Sequence, residues 1–212
     1  MTDTSEADPI RVLIVDDHPL LREGVVGAIQ RQADMAVAGE AADGIEALHR
    51  VRELNPDVTL MDLRMPGMDG VEVIAAIRAE FPQARILVLT TDAGDVHALR
   101  ALKAGASGYV LKNSARKELL GAIRKVHEGG SHLPPELATE IAMNAVHEQL
   151  SAREIEVLKL ASTGNGNKQI AWKLNIAEDT VKTHFKSIFG KLNVTDRTHA
   201  VAIAARRGII EL

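Results

Sequence analysis

Cysteine is absent from all 212 residues, which excludes disulfides and thiolate metal sites. No stretch approaches the roughly 18 consecutive apolar residues of a membrane-spanning helix. The polar, acidic segment Met1–Pro9 has neither the basic nor the apolar part of an export signal, so it is expected to be a disordered N-terminus and the chain to be cytoplasmic. Internal repeats are also lacking. What remains is ordinary for a globular protein, with 46% hydrophobic and 25% charged residues. Its length suits one large domain or two small ones.

Charge is unevenly spread. Residues 150–212 hold 10 Lys and Arg against 6 Asp and Glu, whereas residues 1–149 hold 15 against 23. An acidic part and a basic part point to different partners, nucleic acid among them for the basic one. Chance variation among solvated charges is the plainer reading, and charge alone does not separate the two.

Four short apolar runs each end in a polar residue of a different kind. Arg11–Val15 runs into Asp16 and Asp17, Val58–Met61 into Asp62, Arg85–Leu89 into Thr90, and Ser107–Leu111 into Lys112. Such runs, separated by helical stretches, read as buried parallel strands. With a weaker strand at Met35–Gly39 they make five βα units between Ile10 and about Glu128, an α/β fold with a parallel sheet and helices on both faces. Strand C-termini share one edge of an open parallel sheet, and ligands bind there. Three carboxylates, a hydroxyl and an ammonium therefore converge. Mg²⁺ suits such a site, because it takes oxygen ligands and needs only one or two carboxylates beside a phosphate. Asp62 is then a candidate nucleophile, and Lys112 and Thr90 candidate phosphate partners. Taken singly, each Asp is equally well a turn former or helix cap.

Gly129–His132 breaks the alternation. Residues 129–147 read as a partly helical linker, with a helix over Glu136–Glu148; a sixth helix packed on the first domain is the alternative. From Leu150 the strands vanish. Ser151-Ala-Arg-Glu154 has the form of a capping box, Asn167 is placed to cap the next helix, and a third helix runs to about Leu192. A fourth spans about Asp196–Arg207. In the third, Val181, Phe185, Ile188 and Leu192 form an apolar stripe, leaving Lys182, Thr183, Lys186 and Ser187 on the other side. A helix in the major groove needs that division, and so does any amphipathic surface helix.

Particular residues narrow both regions. Val-Asp16-Asp17-His, Met61-Asp62-Leu-Arg-Met-Pro66-Gly-Met-Asp-Gly70, Val-Leu-Thr90-Thr and Gly-Ala-Ser-Gly-Tyr109-Val-Leu-Lys112 resemble the signatures of bacterial response-regulator receiver domains over residues 10–128. The resemblance implies a flavodoxin-like sheet of order 2-1-3-4-5 and Asp62 as acceptor of phosphate from a sensor histidine kinase. It also implies Mg²⁺ on Asp17, Asp62 and the backbone carbonyl of Arg64, with Asp16 acting through water. Thr90 and Tyr109 would form a switch pair. Many receivers carry Pro where Asn113 stands; a cis bond before a non-proline residue costs about 2.5–4 kcal/mol, so a trans bond is expected.

Leu150-Ser-Ala-Arg-Glu154, Gly-Asn167-Lys168-Gln-Ile-Ala171, Ile176-Ala-Glu-Asp-Thr180-Val-Lys182-Thr-His184, Lys191-Leu-Asn-Val194 and Arg197 resemble the LuxR-type helix-turn-helix over 148–212. Joined to a receiver, the chain is similar to the NarL/FixJ family of response regulators. That implies Lys182, Thr183 and Lys186 facing the major groove of double-stranded DNA, Lys168 and Thr180 on phosphates, and a homodimer on two half-sites when phosphorylated or DNA-bound, with RNA polymerase as a further partner. Ala177, where Ser is common, and Gly190 inside the recognition helix both weaken that helix. His184 is read as packed or phosphate-facing rather than metal-binding, and His18 as a loop residue rather than a base.

Three functions stand at this point. One is a phosphorylation-controlled transcription regulator; the second is a DNA-binding protein whose receiver does not switch. The third is a phosphatase or phosphotransferase with an aspartyl-phosphate intermediate. The last usually needs an acid–base residue two positions after the nucleophile, where Arg64 stands, so the chain is not expected to be an enzyme.

Overall fold

The computed structural model describes residues 8–91, 94–114, 116–145 and 150–210. Most of the expected N-terminal disordered segment, residues 1–7, lies outside them, as do 146–149 at the expected end of the linker helix. The chain divides into two compact units, one of residues 1–91 and 99–134, the other of residues 92–98 and 135–212.

The first unit is a five-stranded sheet with strands β1 (Ile10–Val15), β2 (Met35–Ala41), β3 (Val58–Met61), β4 (Ile86–Thr90) and β5 (Gly108–Leu111). All neighbours are parallel, in the order β2-β1-β3-β4-β5. Helices α1 (Pro19–Ile29), α2 (Gly44–Leu54), α3 (Gly70–Glu80), α4 (Asp95–Ala104) and α5 (Arg116–His127) connect and follow the strands, residues 95–98 of α4 belonging to the second unit. β3 and β4 are buried along their whole length, as strands covered on both faces must be. That is why their sequences are continuous apolar runs rather than alternating ones.

Helix ends are set locally. Asp43 accepts from the Glu46 N–H at the start of α2, and Asp69 from the Val71 N–H at the start of α3. Asn55 closes α2 in the left-handed region just before Pro56. No peptide bond among the described residues is cis, in line with the expectation at Asn113.

The strand edges differ from expectation by a residue or two. Thr90 is the last residue of β4 rather than the one beyond it, and β5 starts at Gly108. The stretch read as the start of a linker has a further role. His132 forms a parallel bridge with Gly108, and the Tyr109 N–H donates to the His132 carbonyl at 2.8 Å. A Cβ at position 108 would stand 2.7 Å from that carbonyl oxygen, so a side chain there would open the bridge. The bridge covers part of the outer edge of β5, which an exposed sheet edge needs.

The second unit holds α6 (Pro135–Ala145), α7 (Ala152–Ser162), α8 (Asn167–Leu174), α9 (Glu178–Leu192) and α10 (Arg197–Arg206). Val157, Leu158, Ile170, Val181, Ile188, Ala200 and Ala204 are fully buried and draw α7 to α10 around one core. Asn175, left-handed at φ 52°, makes the turn between α8 and α9. Asn167 is the first residue of α8 and not its cap. Gly166 takes the cap position in extended conformation, and its N–H donates to the Gln169 side chain.

Candidate functional site

The ends of β1, β3, β4 and β5 bring Asp16, Asp17, Asp62, Thr90 and Lys112 to one edge of the sheet. Asp16 and Asp62 are only 1% and 2% exposed, and Thr90 and Tyr109 are wholly buried. Lys112 Nζ lies 2.6 Å from both Asp16 Oδ2 and Asp62 Oδ2. Its ammonium thus bridges two carboxylates that would otherwise repel each other. Burial pushes the Asp62 carboxyl above the usual carboxylate range, and the Lys112 hydrogen bond only partly reverses this. Burial also pushes the Lys112 ammonium down, but its pairing with Asp16 and Asp62 outweighs that and holds it high.

The turn after β3 is held by the Arg64 N–H, which donates to Asp62 Oδ1 at 3.2 Å. The turn after β1 is held twice. The His18 N–H donates to Asp16 Oδ1 at 2.8 Å, and Arg22 Nη1 donates to the Asp16 carbonyl at 2.7 Å while its Nε reaches Glu40 at 3.1 Å. Neither Arg22 nor its role is visible in the motif; Glu40 is 18 positions away and on another element. Asp17 Oδ1 is buried with no aligned hydrogen-bond donor, although His18 Nδ1 lies 2.7 Å away. Ligand atoms of Asp16, Asp17, His18 and Asp62 all lie within 4.8 Å of one another. Three carboxylates with a buried acceptor left over suit a hard, oxygen-seeking divalent cation such as Mg²⁺; an imidazole nitrogen suits it poorly. The site is therefore built around the carboxylates, with His18 as an exposed neighbour beside them.

The second candidate lies on α9. Val181, Phe185, Ile188 and Leu192 are buried, as their spacing requires, while Thr180, Lys182, Thr183 and Lys186 are exposed. Lys182 Nζ pairs with Asp179 at 2.9 Å, and the Thr183 hydroxyl donates to the Asp179 carbonyl. Lys168, in the first turn of α8, is exposed too. No side chain caps α9 at Ala177.

Ser187 departs from expectation. It does not share the open face; its hydroxyl donates to Glu154 Oε1 at 2.6 Å. Glu154 is 4% exposed. It closes the capping box with Ser151 and also takes Lys191 Nζ at 3.0 Å. Burial alone would raise this carboxyl; hydrogen bonds from the Ser187 hydroxyl, the Ser151 backbone and Lys191 outweigh it and hold the carboxyl at about 2. One acid thus ties the start of α7 to the C-terminal half of α9. The capping-box pattern locates Glu154, but its partners 33 and 37 positions away carry no local signal. Arg197 is a second brace. Its guanidinium lies 5.1 Å over the Phe185 ring and donates to the carbonyls of Ala161 and Asn165.

A five-stranded parallel sheet with an acidic C-terminal edge, and the four helices α7 to α10 around one core with an open basic helix, define a receiver-type domain and a helix-turn-helix. The comparisons agree. Residues 12–124 match the response regulator receiver domain and residues 148–204 match the luxR family of bacterial regulatory proteins. The response regulator protein VraR of Staphylococcus aureus is 40% identical over 207 residues, covering 95% of this chain and 99% of that one. The crystal structure of response regulator ChrA, from a heme-sensing two-component system, is 38% identical with a TM-score of 0.57, covering 96% of this chain and all of that one. RcsB from Salmonella enterica serovar Typhimurium, in a structure bound to a promoter with phosphomimetic beryllofluoride, is 28% identical with a TM-score of 0.73, covering 94% and 99%. The chain belongs to the two-component response regulators that join a receiver to a LuxR-type DNA-binding domain.

Proposed function

We propose that Asp62 accepts a phosphoryl group from a sensor histidine kinase and that this raises the affinity of the helix-turn-helix for DNA. The observation that carries the reading is the buried pairing of Asp62 with Lys112 beside Asp16 and Asp17. In the transfer, the N–P bond of the kinase phosphohistidine breaks and an O–P bond to the Asp62 carboxylate forms. Asp17, Asp62 and the backbone carbonyl of Arg64 would hold Mg²⁺, with Asp16 acting through water. Bound there, the ion offsets charge on the phosphoryl oxygens. Lys112 then exchanges its Asp62 contact for a phosphate oxygen. The Thr90 hydroxyl, at the end of β4, turns toward the new group, and Tyr109, whose ring is already buried, responds beside it in β5. The output is a shift between two arrangements of the receiver.

On this reading residues 10–128 form the receiver, 129–147 the linker and 148–212 the DNA-binding domain. Lys182, Thr183 and Lys186 face base edges, and Lys168 and Thr180 hold phosphates. The protein works as a homodimer on two half-sites of double-stranded DNA, in the cytoplasm, with RNA polymerase as a further partner. It turns over no substrate beyond its own phosphoryl group. Support comes from the similar RcsB structure, which is bound to a promoter.

Sequencing DNA selected by the purified protein, with and without beryllofluoride, beside an Asp62→Ala control, tests the whole reading. Enrichment of paired half-sites that depends on beryllofluoride and on Asp62 is the expected result. The same enrichment in all arms would sink the phosphorylation step, and no enrichment would sink the DNA interface.

A further inference from the structure

The chain has a single tryptophan, and the fold does not use it as core. Trp172 is 82% exposed on α8. The opposite face of that helix is committed to packing, with Ile170 and Ala171 buried and Leu174 packed against the same core. At 3.6 residues per turn, Trp172 lies one turn beyond Lys168 and about 40° around the helix from it, so both open onto the same side. Lys173, the next residue, is exposed as well. α8 carries no acidic residue, and neither Lys168 nor Lys173 makes an ion pair among the described residues. The open face of α8 is thus two unpaired ammonium groups around one indole. An indole offers a flat apolar surface with a single N–H donor at its edge. A nucleic-acid backbone offers anionic oxygens alternating with apolar sugar faces, and in a helix-turn-helix the helix before the recognition helix crosses that backbone.

We propose that Trp172 lies against the sugar–phosphate backbone of bound DNA and, with Lys168 and Lys173, extends the DNA-binding surface along α8. This rests on the helix-turn-helix being the DNA interface. The contact is to the backbone and adds affinity without sequence preference.

Because Trp172 is the only tryptophan, its emission reports on this position alone. The test titrates the full-length chain with a fluorescein-labelled mixed-sequence duplex at low salt, reading label anisotropy and tryptophan emission together. Both should change along the same binding curve. Trp172→Ala should weaken binding roughly three- to ten-fold and leave the salt dependence unchanged, since it removes no charge. Lys168→Gln should reduce the slope of log affinity against log salt by about 1. Trp172→Arg, which restores a backbone donor, should recover affinity. If anisotropy rises while tryptophan emission stays flat, or if Trp172→Ala binds like the parent, the proposal is overturned. Normal DNA binding by Trp172→Ala with a defect only in transcription by RNA polymerase would likewise overturn it, making Trp172 a protein contact. No anisotropy change at all would overturn the DNA interface itself.

Discussion

Each unit of the molecule buries charge, and the two do so to opposite ends. In the receiver, Asp16, Asp62 and Lys112 are buried at the sheet edge with acceptor capacity left over, most plainly at Asp17 Oδ1. In the helical unit the buried acid is Glu154, which two hydroxyl or amide donors and an ammonium group satisfy. Burial raises the Asp62 carboxyl, whereas Glu154 is held at about 2. An under-satisfied buried carboxylate is a place for an incoming cation or phosphoryl group; a saturated one is a structural tie. Burial by itself does not tell reactive from structural charge, and the count of donors does.

The largest expected effect attacks that distinction directly. Asp62→Asn should abolish labelling by acetyl phosphate in the presence of Mg²⁺, while Glu154→Gln should leave it intact; intact-mass measurement distinguishes them. Labelling that persists in Asp62→Asn would place the acceptor elsewhere.

Removing the cation from the receiver cluster comes next. Lys112→Ala leaves Asp16 and Asp62 facing each other in a buried site, and breaking such a pair costs about 3–5 kcal/mol. The loss should be smaller when Mg²⁺ is added, because a second cation can take the place of the first. Urea unfolding with and without Mg²⁺ checks this, and an equal loss in both would contradict the spare acceptor capacity.

Glu154 should act through pH. Its carboxyl ionises at about 2 in the folded protein against an ordinary 4.5, so the stabilisation is fully present above about 4.5. It is lost progressively as pH falls from there toward 2. Its size is on the order of 3 kcal/mol. Comparing the pH dependence of unfolding for the parent and Glu154→Gln should show curves that converge in acid. Parallel curves would remove Glu154 from the account.

The smallest effects concern the recognition helix. Ala177→Ser supplies the missing cap and should add about 0.5–2 kcal/mol of helix stability. Gly190→Ala should add about 0.5–1 kcal/mol, since a Cβ there meets nothing within 4 Å. Hydrogen exchange of the α9 amides should show stronger protection in these variants, and in the parent only once DNA is bound. Equally strong protection of the parent with and without DNA would contradict a marginal helix.

The sheet and the acidic edge were legible because local rules set them. A buried parallel strand must be a continuous apolar run, and its C-terminal residue must sit at the common edge, so Asp16, Asp62 and Lys112 follow from the pattern. The helix stripe Val181, Phe185, Ile188 and Leu192 follows from period alone. What the pattern does not carry is long-range pairing. Ser187 has a surface residue's spacing, yet a buried acid 33 positions earlier draws it inward. Arg22 looks like an exposed helical arginine, yet it holds the Asp16 carbonyl. Asn167 looks like a cap, but the extended backbone of Gly166 takes that place and Gln169 closes it. In each case the deciding partner lies off the local period or on the backbone.

The central claim is that a phosphoryl group at Asp62 controls DNA binding. The most direct measurement is the anisotropy of a labelled duplex carrying two selected half-sites, titrated with the parent and with Asp62→Ala, each with and without beryllofluoride and Mg²⁺. The account predicts that beryllofluoride tightens binding by the parent about 5- to 150-fold, as a coupling free energy of about 1–3 kcal/mol would, and leaves Asp62→Ala unchanged. Equal affinity in all four titrations, with DNA bound throughout, would contradict it.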